Sequence, residues 1–210
     1  MNKFKYPRTP HMPFSKGATS DDRILKSLDH FNGKHVSITV KKDGENTTMM
    51  RDCFYARSLD SVHHISQDWL ARFHASLSYK IPEGYRVCGE NVYAQHSIRY
   101  ENLPSYFLGF SVWNEQNKSL SWDETLMWFD ELGISPVEEL YNGIFDFNIV
   151  KDICNNLDTT KEEGVVMRLA SSFSYDFFGN SMAKFVRKNH VQTDKHWKHQ
   201  KIVPNKLMAS

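Results

Sequence analysis

The sequence predicts one α+β domain built on antiparallel sheet. Short runs rich in aromatic and β-branched residues recur between turn residues, which is typical of strands. Several segments with helical periodicity interrupt these runs, and the chain shows no internal repeat and no low-complexity linker. At 210 residues with 40% hydrophobic content, the chain is long enough to bury a core without disulfides or metals.

The first part of the chain is predicted to be an extended arm followed by a short helix. Three prolines lie within residues 1–18, and the residue before a proline is biased away from helix. Thr19-Ser20-Asp21-Asp22 then offers an N-cap with acidic residues in the first turn. We therefore expect a helix through Leu25 and Leu28 that ends near Gly33.

A strand and a tight turn are predicted next. Residues 36–40 alternate apolar and polar side chains, which indicates a half-buried strand. Asp43-Gly44 is the strongest short hairpin signal, so residues 47–50 are predicted to form the return strand. A further short strand is expected over residues 54–57.

The remaining elements follow from periodicity and capping residues. A capping box, Ser121-Trp122-Asp123-Glu124, and a later glycine, Gly133, delimit one helix. In chain order the predictions are a helix over 66–79, strands over 85–94 and 106–114, helices over 121–133 and 146–157, strands over 164–169 and 183–187, and a basic C-terminal tail over 191–210.

Charge and cysteine content exclude some classes of protein. The 26 Lys and Arg residues nearly balance 25 Asp and Glu residues, so any nucleic-acid site must be local. The sequence contains no run of 18 apolar residues, so we expect no membrane span, and we expect no secretory signal. Cys53, Cys88 and Cys154 are widely spaced without a CxxC pair, which favours reduced thiols in a cytoplasmic protein.

Four segments could together carry chemistry, although each alone has a structural explanation. A lysine at a strand end, two carboxylates on other strands and a basic strand suit covalent nucleotidyl transfer. In that reaction a lysine amine attacks the α-phosphate of a nucleotide and holds it as a phosphoramidate. The segments are Lys41-Lys42-Asp43-Gly44-Glu45-Asn46, Cys88-Gly89-Glu90-Asn91, Glu163-Gly164-Val165-Val166-Met167-Arg168 and Lys184-Phe185-Val186-Arg187-Lys188.

In their order along the chain, these segments resemble the covalent nucleotidyltransferases, which comprise polynucleotide ligases and mRNA capping enzymes. The resemblance is to the RNA ligase branch, of the phage RNA ligase 2 type and of small bacterial RNA ligase-like proteins, and it covers residues 19–190. The matching motifs are Lys41-Lys42-Asp43-Gly44, Arg57-Ser58, Gly89-Glu90, Phe107-Leu108-Gly109-Phe110, Glu163-Gly164-Val165-Val166 and Lys184-Phe185-Val186-Arg187-Lys188.

The resemblance implies roles around the nucleotide phosphates. Lys41 is implied to be the adenylylated nucleophile, and Lys184 to hold the α-phosphate. Arg187 is ranked ahead of Lys188 as its helper. Arg57 is implied to engage either the nucleotide or the RNA end being joined. The nucleophile turn, including Asp43, Gly44 and Asn46, is expected to help to bind the nucleotide.

The resemblance also implies how the nucleoside and a metal are held. Glu90 is implied to take the ribose hydroxyls. Phe110 is expected to stack on adenine, with Phe107 as the competing candidate. Glu163 is implied to act through the hydration shell of Mg²⁺, or of Mn²⁺ in its place, and Glu90 is a second, water-mediated metal contact. We further expect burial and the neighbouring Lys184 to lower the pKa of Lys41.

The resemblance therefore implies an ATP-dependent RNA ligase that joins 5′-phosphate and 3′-hydroxyl RNA ends through a lysyl-AMP intermediate. Its fold would be an antiparallel-sheet, ATP-grasp-like adenylyltransferase domain over residues 19–190, flanked by an arm over 1–18 and the tail. No separate OB domain is expected, which disfavours a DNA ligase and a GTP-dependent capping guanylyltransferase. A binding module without turnover is the other alternative. Another protein that heals RNA ends is a possible partner, and no membrane is expected.

Overall fold

The strand-forming runs assemble into two β-sheets in the computed structural model, which describes residues 3–60, 64–188 and 202–209. The strands are β1 (His35–Lys41), β2 (Glu45–Met49), β3 (Phe54–Ala56), β4 (Arg86–Asn91), β5 (Phe107–Trp113), β6 (Lys118–Ser119), β7 (Ser135–Pro136), β8 (Glu139–Ile144), β9 (Gly164–Leu169), β10 (Phe173–Ser174) and β11 (Met182–Val186). The α-helices are α1 (Asp68–Leu77), α2 (Trp122–Leu132), α3 (Phe147–Asn156) and α4 (Phe178–Ser181). Short 3₁₀ turns cover Asp29–Phe31, Ile65–Gln67, Ser78–Lys80 and Tyr175–Phe177.

The small sheet has the strand order β11-β9-β1-β8, and all neighbouring strands are antiparallel. Side chains alternate between the two faces of a strand. One face of this sheet carries Ile38, Val165 and Phe185 into an apolar core that also contains Val150 of α3. The charged residues of the same strands therefore point to the opposite face.

The large sheet has the order β10-β6-β5-β4-β2-β3, and β7 pairs with β5 in parallel. Helices α1 and α2 supply Leu70, Leu77 and Phe129 to a second apolar core, where they pack with Phe107 and Val112 of β5. Both sheets thus have one face covered by helix or loop, and each has a second face available for a site.

The predicted hairpin at Asp43-Gly44 is wrong. Strands β1 and β2 lie in different sheets: β1 pairs with β8 and β9, whereas β2 pairs with β3 and β4. A Cβ at Gly44 would lie 2.5 Å from the carbonyl oxygen of Asn91, at the end of β4. The turn therefore takes the chain from one sheet to the other, and its glycine is needed for the close approach to β4.

The helix predicted from Thr19 towards Gly33 is also wrong. The backbone N–H of Leu25 donates to the carbonyl of His11 at 2.9 Å, and Ile24 forms a parallel bridge with His11. Pairing with the N-terminal arm thus uses backbone groups that a helix would have bonded internally. Only the 3₁₀ turn at Asp29–Phe31 remains.

Most other predicted elements are confirmed with small shifts at their ends. The Ser121 capping box is present, and Gly133 closes α2 with a left-handed φ of 67°. Strand β1 is not half-buried as predicted: Ser37 and Thr39 are buried as well, because β1 is an interior strand of its sheet. Strand β8 was not predicted, and it pairs with β1 along its length.

The predicted tail is described only over residues 202–209, and its basic part, 189–201, lies outside the described residues. Asn205 is buried, and its side-chain amide donates to the carbonyl of Val92 at 2.8 Å. Its Oδ1 accepts from the backbone N–H of Tyr100 at 2.9 Å. Across the parts of the chain that the structure describes, no helix has the length and apolar character needed to cross a membrane.

Candidate active site

A cleft of about 570 Å³ is lined by residues from both sheets. Because side chains alternate along a strand, the sheet faces that turn away from the two apolar cores point into it. The cleft brings together most of the residues predicted for the site, namely Lys41, Gly44, Asn46, Arg57, Glu90, Phe110, Glu163 and Lys184.

Lys41 lies at the end of β1 and meets Glu163, the residue that precedes β9. The two strands pair with Lys41 opposite Gly164, so the carboxylate that precedes Gly164 lies beside the lysine. Lys41 Nζ donates a hydrogen bond to Glu163 Oε2. A Cβ at Gly164 would lie 1.9 Å from the carbonyl oxygen of Phe185. The glycine is therefore required for the close pairing of β9 with β11.

The expectation of a lowered pKa for Lys41 is wrong. Burial alone would lower the pKa, but the charges of Glu163 and Glu90 and the hydrogen bond to Glu163 outweigh it, and the pKa is raised. The charge of Lys184 has a smaller effect on the pKa of Lys41 than these carboxylates have. At neutral pH the Lys41 amine is therefore held as an ammonium ion.

Lys42, the neighbouring lysine, has different partners. Its Nζ donates to Glu162 Oε1 at 2.6 Å and lies 5.0 Å from the centre of the Tyr100 ring. Lys42 also borders the cleft, but its ammonium is bonded away from Glu163. The two adjacent lysines are therefore distinguishable by their contacts.

Glu90 is a buried carboxyl group in the wall formed by the large sheet. Burial raises its pKa to about 8; Lys41 opposes the shift, and Glu163 adds to it. Asn46 lies directly opposite Glu90 in the β2–β4 pairing, which places both side chains on one face. The Asn46 Oδ1 is buried and has no hydrogen-bond partner among the described residues. This wall thus presents two oxygen acceptors to the cleft.

The two candidate stacking rings occupy different places. Phe110 borders the cleft, where the Tyr6 ring meets it edge-on with centroids 5.3 Å apart. Phe107 is fully buried in the core beneath α1 and α2, against Gly89. Only Phe110 of the pair can contact a ligand in the cleft.

Lys184 and Arg57 are two further cations that were predicted for the site, and both line the cleft. Burial lowers the pKa of Lys184, and the charge of Lys41 adds to this effect. Burial also lowers the pKa of Arg57, with a contribution from Arg8. Among the described residues, no hydrogen bond or ion pair engages the Lys184 ammonium or the Arg57 guanidinium. Both groups are available to an anion.

Asp43 and Arg187, which were predicted to bind nucleotide, lie beside the cleft rather than in its lining. Asp43 Oδ2 accepts hydrogen bonds from the backbone N–H groups of Ser97 and Ile98 and from Ser97 Oγ. Arg187 Nη2 donates to the same Ser97 Oγ at 3.1 Å. These contacts hold the nucleophile turn against the segment after β4. Lys188 is exposed.

The cleft also contains residues that the motifs did not predict. Arg168 is 3% exposed, and its Nη2 donates to the carbonyl of Leu120 at 2.6 Å. Its Nη1 has no partner among the described residues. Strand alternation could have found it, because Arg168 lies two residues after Val166 on the same face of β9. Tyr6, Pro7 and Thr9 of the arm also line the cleft, and no sequence signal predicted this.

The carboxylates of the cleft suit a metal that arrives with phosphate. Within the described ranges, no group of three or more His, Cys, Asp or Glu residues could hold a metal ion by itself. Mg²⁺ commonly takes one or two carboxylates, several waters and substrate phosphate oxygens. Glu163, Glu90 and the unpaired Asn46 Oδ1 fit such a water-mediated set.

Comparison with known families identifies a match over most of the chain. A family model described as RNA ligase matches residues 34–186. None of the curated proteins compared with the chain matches it.

Solved structures of ligases share the fold. An archaeal ATP-dependent RNA ligase (form 2) is 15% identical, with 88% of this chain and 48% of that chain covered and a TM-score of 0.60. A putative ATP-dependent DNA ligase from Aquifex aeolicus is 19% identical, with 90% and 50% covered and a TM-score of 0.57. A variant of the Naegleria gruberi RNA ligase with ATP and Mn is 14% identical, with 90% and 62% covered and a TM-score of 0.52. The chain spans about half the length of the first two.

Proposed function

Since this chain belongs to the RNA ligase family, we propose that it uses ATP to join a 5′-phosphate RNA end to a 3′-hydroxyl RNA end. The observation that carries the proposal is the convergence of Lys41, Glu163, Glu90 and Lys184 on one cleft. A cleft of about 570 Å³ lies within the range of small-molecule sites. The similarity to an archaeal ATP-dependent RNA ligase supports the fold that this reaction requires.

The first step forms a covalent bond between Lys41 and AMP. The neutral amine attacks the α-phosphorus of ATP, an N–P bond forms, and the bond to pyrophosphate breaks. Because Lys41 is protonated in the free protein, it must lose a proton before or during attack. Glu163, which accepts the hydrogen bond from Nζ, is placed to receive that proton. Lys184 then faces the negative charge on the phosphate oxygens.

The nucleoside is held by the wall of the large sheet. Phe110 stacks on adenine, and Glu90 accepts hydrogen bonds from the ribose hydroxyls. Nη1 of Arg168, which has no partner among the described residues, supplies a further donor to the same cleft. Asp43 and Arg187 act indirectly, since their bonds to Ser97 position the turn that carries the nucleophile.

Two transfers complete the reaction. AMP passes from Lys41 to the RNA 5′-phosphate, which creates a phosphoanhydride and frees the lysine. The 3′-hydroxyl then attacks that phosphate, AMP leaves, and a phosphodiester forms. Arg57, whose guanidinium is unpaired among the described residues, engages a phosphate in these steps.

We assign the water-mediated metal contacts to Glu163 and Glu90. Bound with the triphosphate, Mg²⁺ or Mn²⁺ supplies neutralising charge to the phosphate oxygens. A similar fold solved with ATP and Mn supports a divalent metal. The protein's own contribution is to fix the two carboxylates on adjacent walls of the cleft.

The proposal extends to the cell and to partners. Cys53, Cys88 and Cys154 are all free thiols, which supports a reducing, cytoplasmic location. Sealing requires a 5′-phosphate and a 3′-hydroxyl, so we propose a separate end-healing protein as a partner. We propose further that the domain is an adenylyltransferase domain of ATP-grasp-like fold.

A labelling experiment tests the function. The protein is incubated with α-labelled ATP or α-labelled GTP and Mg²⁺, and a denaturing gel reveals any covalent adduct. We expect a labelled band with ATP only. A band with GTP only would instead indicate a capping guanylyltransferase, and the lack of a band with either nucleotide would indicate a binding module without turnover.

A further inference from the structure

Residues 3–12 of the N-terminal arm cross the cleft and are attached to both sheets. At one end, the Tyr55 hydroxyl of β3 contacts the backbone of Phe4, accepting from its N–H at 3.3 Å. At the other end, Lys184 of β11 donates its backbone N–H to the Pro10 carbonyl at 2.9 Å, and its carbonyl accepts from Met12 at 2.7 Å. The arm is therefore fixed in place along the cleft that it lines.

The two sides of the arm differ in chemistry. Tyr6 is buried, and it lines the cleft with Pro7 and Thr9. Lys3, Lys5 and Arg8 are exposed. The first acidic residue of the chain is Asp21, so the arm is a local cationic segment in a protein of net charge +1.

The exposed cations of the arm are not neutralised by neighbouring carboxylates. Among the described residues, Lys5 and Arg8 form no hydrogen bond or ion pair through their side chains. Lys3 Nζ lies 5.4 Å from the centre of the Tyr55 ring. The charge of Arg8 also reaches the cleft, where it adds to the effect of burial in lowering the pKa of Arg57.

We propose that Lys3, Lys5 and Arg8 form a track on the outer side of the arm that binds the phosphate backbone of the RNA strand being joined. The proposal rests on the function proposed above, because an RNA end that is to be joined must reach the cleft that the arm lines. Ammonium and guanidinium groups on a fixed backbone suit a polyanion, and the inner side of the arm is already committed to the cleft wall. The track therefore serves RNA and leaves the ATP site unchanged.

The test compares the triple variant Lys3→Ala, Lys5→Ala, Arg8→Ala with a control that removes the same charge elsewhere. The control is the triple variant Lys26→Ala, Lys34→Ala, Lys151→Ala. All three lysines are exposed, and Lys151 lies over the Phe147 ring as Lys3 lies over the Tyr55 ring. Binding of a fluorescent 5′-phosphorylated single-stranded RNA is measured by anisotropy over a series of KCl concentrations. Lysyl-AMP formation from ATP is measured in parallel, and thermal melting checks the fold.

We expect the arm variant to bind RNA roughly tenfold or more weakly and to show a salt dependence shallower by roughly 2 in log–log slope, as loss of three phosphate contacts implies. Its rate of lysyl-AMP formation should match wild type, and the control should bind RNA normally. The variant Lys3→Arg, Lys5→Arg, Arg8→Lys should retain binding.

Unchanged RNA binding, or an equal loss in arm and control variants, would overturn the proposal. So would a parallel loss of lysyl-AMP formation, which would assign the cations to ATP. If wild type forms no adduct, the proposed function fails while the RNA comparison still reports on the track.

Discussion

Lys41 and Glu163 form an ion pair inside the cleft because β1 and β9 align Lys41 opposite Gly164. The pair joins the group proposed to attack ATP to the carboxylate proposed to take its proton and to contact a metal through water. The proposed reaction therefore requires ATP and metal to separate the Lys41 ammonium from the Glu163 carboxylate.

The pKa of Lys41 should lie above the ordinary lysine value of about 10.4. The carboxylates of Glu163 and Glu90 stabilise its ammonium form and raise its pKa despite burial. NMR of reductively ¹³C-methylated protein, with the Lys41 signal assigned by Lys41→Arg, reports the titration directly. Glu163→Gln should lower this pKa, since a carboxylate is removed. A wild-type Lys41 that titrates well below 10 would contradict the assignment of these contacts.

Glu90 should make stability fall as pH rises through its titration. Its pKa is raised on folding from 4.5 to about 8, so its contribution is fully present below pH 4.5 and is lost as pH passes 8. Within that window the slope is at most about 1.4 kcal/mol per pH unit. Urea unfolding of wild type and Glu90→Gln at pH 5 and pH 9 isolates the effect. Wild type should lose stability relative to the variant, and parallel pH profiles would count against a protonated Glu90.

Phe110 and Phe107 form a matched pair for the base site. Phe107 is fully buried in the core, so Phe107→Ala should cost about 3–5 kcal/mol of unfolding free energy. Phe110 borders the cleft, so Phe110→Ala should cost less stability and weaken ATP binding by about 1–3 kcal/mol of lost stacking. Denaturant unfolding and ATP titration separate these effects. The reverse pattern would show that the base lies elsewhere.

The covalent step and the sealing step should be separable. Lys41→Ala should still seal RNA that is already adenylylated at its 5′ end, because that transfer needs no amine nucleophile. Glu163→Ala should fail at sealing as well, because the metal contact proposed for Glu163 would serve each phosphoryl transfer. Assays with pre-adenylylated RNA measure this. Equal loss of sealing in both variants would mean that Lys41 is also needed after AMP has left it.

Local signals in the sequence predicted the elements whose stability is local. Helix α2 begins at a capping box and ends at Gly133, and both features are written in adjacent residues. The segment after Thr19 has equally good helix signals, but backbone pairing with His11 overrides them. Strand β8 contains an Asn-Gly pair that reads as a turn, and it becomes a strand only through its partner β1. The Asp43-Gly44 turn was found, but nothing local shows that it changes sheets.

The motifs predicted the charged residues of the site better than its walls. Lys41, Glu90, Glu163 and Lys184 each stand in a short recognisable motif, and all line one cleft. Tyr6 reaches the cleft only because the arm pairs with β11 at a separation of more than 170 residues, and no local pattern encodes that pairing. The direction of the Lys41 pKa shift was also predicted wrongly, because it depends on how close two carboxylates come to the lysine in space.

Mapping the covalent adduct identifies the lysine that acts as the nucleophile. Wild type, Lys41→Arg and Lys42→Ala are incubated with ATP and Mg²⁺, and the modified peptide is identified by mass spectrometry. Arginine keeps the charge but cannot become a neutral nucleophile, whereas Lys42 is bonded to Glu162 and serves as the neighbouring control. We predict AMP on Lys41 in wild type and in Lys42→Ala, and no adduct in a folded Lys41→Arg. AMP on Lys42 or Lys184, or an adduct that survives in Lys41→Arg, would contradict it.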